Sequence, residues 1–322
     1  MKILVVGAGA TGGCFGARLA AAGRDVTFLV RPARATALRA GGLVVRGPLG
    51  DLVLRPHLVT SAARPYDLVL LAVKAVTLDR TVVDLTPAIG ADTVILPMLN
   101  GMRHLDTLAE RFGADRVLGG VCQVTTTLTP DGEILQLNTR QELAYGPAFQ
   151  PGPNRLAAVD AALRGAGFTA RTSPDIRQEM WDKWFHVSAL GAITCLMRGV
   201  VGEVVAAGGA EVAERIVLEA AATAAAAGYP VSASVFDRTL ATLTEPGSRT
   251  ASSLYRDLTK GLPTEADHLI GDLIAHAARH GVDTTLLRLA HTHLSVHEHR
   301  LSDPIAAATT DRRLPDGPPL VR

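Results

Sequence analysis

Residues 1–34, MKILVVGAGATGGCFGARLAAAGRDVTFLVRPAR, decide the fold. A short apolar run at 3–6 passes directly into Gly7-Ala8-Gly9-Ala10-Thr11-Gly12, which fits G-x-G-x-x-G. The spacing predicts a buried strand over 2–6, a helix over 12–22 stopped by Gly23, and a second strand over 25–30. In such a β–α–β unit Gly7 permits the tight turn and Gly9 lets the backbone approach a pyrophosphate. Gly12 lets the helix pack on the sheet. The helix N-terminus adds N–H donors and a positive dipole for phosphate. The turn therefore points to a bound dinucleotide, with Gly7, Gly9, Ala10, Thr11 and Gly12 around it.

The end of the second strand reads Val30-Arg31-Pro32. An acidic residue there would hold the ribose hydroxyls of NAD and repel an extra phosphate, whereas a guanidinium binds that phosphate through paired hydrogen bonds. Arg31 thus favours NADP(H). Arg34 either completes the clamp or is a solvated loop arginine.

Working outward, compact apolar runs at 67–73 and 93–96 continue the β–α alternation, which predicts a right-handed, doubly wound parallel sheet. From 116 to 145 the runs become β-branched, with Pro130-Asp131-Gly132 as a turn, and read as antiparallel strands closing the first domain. A helix over 154–165 and a last strand over 168–172 follow. Beyond 174 strand signals vanish, and helices are expected at 176–198, 202–228, 231–243, 263–281 and 283–300, with Gly228 and Gly281 as stops. The expected organisation is a dinucleotide-binding domain at 1–174, an all-helical domain at 175–302 and a Pro-rich tail at 303–322.

A chain of 322 residues with 48% hydrophobic content supports such cores, and its formal charge of +1 gives no electrostatic case for nucleic acid or a membrane surface. No apolar run approaches the roughly 20 residues a bilayer span needs. Cys14, Cys122 and Cys195 are far apart and lack metal-ligand spacing, as for reduced thiols of a cytoplasmic protein. His293 and His297 stand at i and i+4, a spacing that can bind zinc, yet no third ligand is evident and no metal is expected. Lys183 is the one basic residue of a largely apolar helical stretch before Arg198. An unpaired buried ammonium is costly, so it either reaches outward or has a purpose.

Together ILVVGAGATGG, the Val-Arg after the second strand, LLAVKA around Lys74, LNGM at 99–102, the Lys183 helix and SSLYRD…PTEAD at 252–267 make the chain resemble the ketopantoate reductases (2-dehydropantoate 2-reductases) of the 6-phosphogluconate dehydrogenase-like superfamily. The resemblance implies an N-terminal Rossmann-type domain carrying NADPH and a helical C-terminal domain. It also implies reduction of a small-molecule 2-oxo acid to the 2-hydroxy acid, the pantothenate-pathway reaction. Lys74 and Asn100 would line the cofactor, with Asn100 also near the substrate; by itself Asn100-Gly101 is an ordinary turn pair. Lys183 would polarise the keto group and donate a proton as hydride arrives from the nicotinamide. Glu265 would bond the substrate or product hydroxyl, and Ser253 the substrate carboxylate. Their residue-level alternatives are a first-turn glutamate complementing a helix dipole and a Ser252–Ser253 helix cap.

The chain departs from that family at Val187 and Gly191, where two substrate-binding asparagines follow the lysine by four and eight positions; Thr194 does match. Helical spacing keeps Val187 and Gly191 beside Lys183, which implies an altered substrate. His186 and Ser188 flank the position as substitutes. The rival readings are an NADP-bound sensor or interaction protein without turnover, and a related 2-hydroxy-acid dehydrogenase. The apolar second domain also allows a homodimer.

Overall fold

The computed structural model describes residues 1–149 and 155–302. The expected tail at 303–322 lies outside the described residues. The chain divides into two compact units, Met1–Trp184 and Phe185–Arg322.

In the first unit the opening stretch forms β1 (Lys2–Val6), α1 (Ala10–Ala21) and β2 (Asp25–Leu29), followed by α2 (Pro32–Gly41). Then come β3 (Leu43–Arg46), β4 (Leu52–Leu54), β5 (His57–Val59), β6 (Leu68–Leu71), α3 (Leu78–Leu85), β7 (Val94–Pro97) and α4 (Arg103–Phe112). The unit continues with β8 (Leu118–Leu128), β9 (Ile134–Pro147), α5 (Arg155–Leu163) and β10 (Thr169–Thr172). It ends partway through α6 (Ile176–Leu196).

The first sheet has the order β5-β2-β1-β6-β7, and every adjacent pair is parallel. β6 and β7 are buried along their whole length, which is why they read as continuous apolar runs. Strand order reverses beside β1, and a crevice for ligands opens at the carboxyl ends of the strands at such a switch point. The loops after β1 and β6 meet there: a Cβ on Gly7 would stand 2.9 Å from the Ala72 carbonyl oxygen.

The expected antiparallel pair is β8 and β9, joined through Gly132 at φ +81°. These strands do not simply cap the first sheet. With β3, β4 and β10 they build a second one, β10-β9-β3-β4, with β8 on β9. The runs forming β3, β4 and β5 are only three or four residues long, too short to stand out as separate strands in sequence. α1 packs against both sheets, with Gly16 on Phe28 of β2 and Gly13 on Ile134 of β9.

Among its described residues the second unit is helical. It takes in the end of α6, then α7 (Val201–Ala206), α8 (Ala210–Ala226), α9 (Ala233–Leu243), α10 (Ser253–Thr259), α11 (Asp272–Arg279) and α12 (Thr285–Ser302). The helix expected over 202–228 is split into α7 and α8, because Gly208 adopts φ +83° and breaks the ladder. The helix expected over 263–281 starts later, as a π-helical turn at Asp267–Gly271 leading into α11. Thr264 is held outside it, its N–H and Oγ1 both donating to Glu298 Oε1 at 2.6 and 2.7 Å. α10 falls outside the expected helix ranges and matches only the Ser252–Ser253 helix-cap alternative. Gly228 and Gly281 do end α8 and α11, at φ +88° and +68°.

Candidate active site

The glycine turn is built by three different constraints. Gly7 has φ +94° and donates its N–H to the Leu29 oxygen at 3.0 Å, tying the turn to β2. At Gly12 a Cβ would collide with the Gly7 oxygen and the Ala72 methyl, so the helix can approach the strands only without a side chain. Gly9 is different. Its φ of −83° is ordinary and a Cβ there would meet nothing within 4 Å. Neither backbone strain nor packing requires glycine at this position, but a ligand lying against the backbone would. Gly9 is also the N-cap of α1, which has no side-chain cap and no acidic residue in its first turn. The first N–H groups of that helix, at Ala10, Thr11 and Gly12, have no intrahelical acceptor. An uncapped N-terminus beside open space suits a pyrophosphate.

Arg31 is the N-cap of α2 and exposed, and its side chain makes no hydrogen bond among the described residues. Pro32 begins that helix and its first turn carries no acid, so the potential at its N-terminus stays positive. Arg34 is not a solvated loop residue. It is half-buried and donates from Nε to the Ala8 oxygen at 3.2 Å and from Nη2 to the Gly132 oxygen at 3.0 Å.

Lys74 and Asn100 follow the carboxyl ends of β6 and β7, the side on which the glycine turn also lies. Lys74 caps a short 3-10 turn, Ala75–Thr77, and is exposed; Asn100 is half-buried ahead of Gly101 at φ +81°.

Lys183 lies on α6 and is half-buried, with its Nζ donating to the Cys122 carbonyl oxygen of β8 at 2.5 Å. The Cys122 sulfur in turn lies 4.0 Å from the Met98 oxygen, just past β7 and two residues before Asn100. Burial pushes the Cys122 thiol up to about 11 despite the nearby ammonium, so it is a packed neutral group. One turn before the lysine, Glu179 receives both ends of the Arg171 guanidinium, at 2.8 and 2.6 Å, while Arg171 Nε reaches Glu142 at 2.7 Å. This fixes the first half of α6 to β9 and β10. Sequence reasoning missed both anchors: a backbone carbonyl has no sequence signature, and the Arg171 cluster joins residues from separate elements.

In the second unit, residues 188–195 of α6 are buried without interruption. Val187 is half-buried, and Gly191 backs onto Leu254, whose Cδ1 would be 2.6 Å from a Cβ placed there. Leu254 therefore occupies the space a side chain at 191 would take. The suggested substitutes are engaged elsewhere, with His186 Nδ1 3.1 Å from Thr239 Oγ1 and Ser188 donating to the Leu269 oxygen at 3.4 Å. Thr194 is buried, bonded to the Leu190 oxygen and 2.8 Å from Ser252 Oγ. Ser252 caps α10 by accepting from the Tyr255 N–H at 2.9 Å. The two serines thus separate: Ser252 is the cap, and Ser253 is exposed. Glu265 is half-buried just before the π-helical turn, its carbonyl accepting from the Leu269 N–H at 2.9 Å. On α12, His297 is bound to the Leu262 oxygen at 3.0 Å, and among the described residues no group of three ligand-type side chains gathers around a metal position.

Against known proteins, the family model described as Ketopantoate reductase PanE/ApbA matches residues 3–149, and that described as Ketopantoate reductase PanE/ApbA C terminal matches 175–298. The uncharacterized oxidoreductase YkpB of Bacillus subtilis is 33% identical over 300 residues, covering 92% of this chain and 99% of its own. The crystal structure of 2-dehydropantoate 2-reductase from Geobacter metallireducens superposes with a TM-score of 0.84 at 27% identity, covering 92% of this chain and 99% of that one. The ternary structure of D-mandelate dehydrogenase with NADH and anilino(oxo)acetate has a TM-score of 0.84 at 22% identity, covering 94% and 100%, a likeness of fold.

Proposed function

The chain belongs to the ketopantoate reductase family of oxidoreductases, and from that premise we propose that it reduces a 2-oxo acid to the 2-hydroxy acid with NADPH as reductant. The observation that carries the reading is Lys183, an ammonium on a largely buried helix that donates to a backbone carbonyl. Such an ammonium keeps its proton available for transfer, and it is the natural partner of an oxygen that gains negative charge.

A dinucleotide fits the residues present, because Gly9 leaves open space over an uncapped helix N-terminus. Ala10, Thr11 and Gly12 would hold its pyrophosphate through their N–H groups, with Gly7 shaping the turn. Arg31 would hold the 2′-phosphate, and Lys74 and Asn100 would line the nicotinamide end. When bound, the reduced nicotinamide supplies the hydride. The protein's part is to orient the acid and move a proton. Lys183 Nζ polarises the keto oxygen and protonates it as charge develops. Glu265 accepts a hydrogen bond from the resulting hydroxyl, Ser253 Oγ donates to the substrate carboxylate, and Asn100 orients the keto group. The proposed division of labour places dinucleotide binding at 1–174 and substrate binding at 175–302.

The α6 face that runs on from Lys183 presents Val187 and a glycine covered by Leu254, with no polar side chain at either position. A hydroxylated substrate arm would leave its hydroxyl unpaired there, at about 1–3 kcal/mol. The preferred acid therefore carries an apolar arm, and ketopantoate is a weak substrate. NADPH consumption across a panel of aliphatic, aromatic and hydroxylated 2-oxo acids, with the product identified by mass spectrometry, tests this. Selective turnover of ketopantoate would overturn the substrate assignment. No turnover of any acid, with NADPH still bound, would favour the sensor reading.

A further inference from the structure

Arg34 sits three residues after Arg31, and its guanidinium bridges two backbone carbonyls from distant parts of the first unit. One acceptor, Ala8 O, is inside the glycine turn. The other, Gly132 O, is in the turn that joins β8 to β9. A trans peptide is planar, so the Ala8 carbonyl and the Gly9 N–H point in opposite directions from one rigid plate. Whatever holds that carbonyl also aims that N–H. The Gly9 N–H donates to no other backbone group among the described residues, and the space over Gly9 is open. Gly132 is fitted to the same arrangement: it has φ +81°, and a Cβ there would come within 2.5 Å of Arg34 Nη1.

We propose that Arg34 is a positioning residue, which fixes the Ala8–Gly9 peptide so that its N–H faces the dinucleotide pyrophosphate, and that it does not bind the 2′-phosphate. The inference rests on the dinucleotide reading above. It separates two arginines of one short stretch: Arg31 distinguishes NADPH from NADH, whereas Arg34 supports both equally. Two N–H groups of Arg34 are already committed to carbonyls, and a phosphate would have to compete with both.

The test compares wild type with Arg34→Ala, Arg34→Lys, Gly132→Ala and Arg31→Ala. Hydrogen–deuterium exchange is read at residues 7–13 without nucleotide, and dissociation constants are read for NADPH and NADH. Arg34→Ala should speed exchange at 7–13 and weaken both nucleotides by the same factor, roughly tenfold for loss of a charged hydrogen bond. Gly132→Ala, which keeps every charge, should shift both readouts in the same direction, and Arg34→Lys should recover part of the loss. Arg31→Ala should weaken NADPH alone. A loss confined to NADPH in Arg34→Ala would make Arg34 a phosphate ligand and overturn the proposal. So would unchanged exchange at 7–13. If wild type bound neither nucleotide, the dinucleotide reading would fall, and exchange at 7–13 would still show whether Arg34 orders the turn.

Discussion

The Lys183 ammonium donates to the Cys122 carbonyl oxygen at 2.5 Å, so α6 and β8 together fix its position. The bond is to backbone, and the thiol next to it is buried and neutral. All three cysteine thiols are shifted the same way by burial, Cys14 and Cys122 to about 11 and Cys195 to about 12. Cys122→Ala should therefore keep the wild-type rate within a fewfold, and the native protein should resist alkylation at neutral pH. Rapid inactivation by iodoacetamide, with protection by NADPH, would show instead that the thiol is exposed to the site.

Arg31 is exposed at the N-cap of α2, and its side chain makes no hydrogen bond among the described residues. Arg31→Ala should raise KM for NADPH by roughly 10- to 100-fold, the range of a lost charge-assisted hydrogen bond. KM for NADH should stay nearly constant. Steady-state kinetics with both nucleotides decides the point, and equal losses would remove Arg31 from phosphate recognition.

The clamp on α6 gives a pH dependence. Burial by itself would raise the Glu179 carboxyl, but hydrogen bonds from Arg171 and Ser173 outweigh it and hold the group below the usual glutamate range. A carboxylate with a lowered folded value adds stability above its unfolded value of about 4.3, and that stability is lost as pH falls through the folded value. Glu179→Gln should therefore cost about 1 kcal/mol at neutral pH, in the range of a partly exposed ion pair. The gap from wild type should narrow as pH falls below the unfolded value and close only once pH has passed below the lowered folded value, where the carboxylate is neutral in both states. Urea denaturation at several pH values measures it, and a constant gap would contradict the assignment.

Arg198, just after α6, has φ +52°, the left-handed region that glycine occupies without strain. Arg198→Gly should stabilise the protein by roughly 0.5–1 kcal/mol, the relieved strain less the added backbone entropy. The Tyr255 hydroxyl bond to the Arg198 oxygen, at 3.0 Å, is to backbone and would remain. Thermal denaturation is the readout, and a lower Tm would give the arginine side chain a structural part.

Much of this was legible in sequence because the signals were local. β1, α1 and β2 follow directly from an apolar run, three spaced glycines and a second apolar run. The helical texture after 174 was equally clear from composition. What escaped depends on contacts between distant residues. The short strands β3, β4 and β5 acquire their identity only by pairing, and the break between α7 and α8 depends on which glycine of a flexible stretch turns left-handed. In the candidate site, residue types and spacing pointed to Arg31 and Gly9, and the family resemblance to Lys183, but not to what holds them. The Arg34 bridge joins carbonyls far apart in sequence, and Leu254 fills the place beside Gly191 from another helix.

The most direct test is the initial rate of NADPH oxidation by wild type and Lys183→Met with the best 2-oxo acid of the panel, alongside NADPH affinity and Tm of each. Loss of a general acid predicts a kcat about 10²- to 10⁴-fold lower, with nucleotide affinity and Tm close to wild type. A Lys183→Met variant that folds, binds NADPH and turns over at the wild-type rate would contradict the assignment of Lys183 as the proton donor.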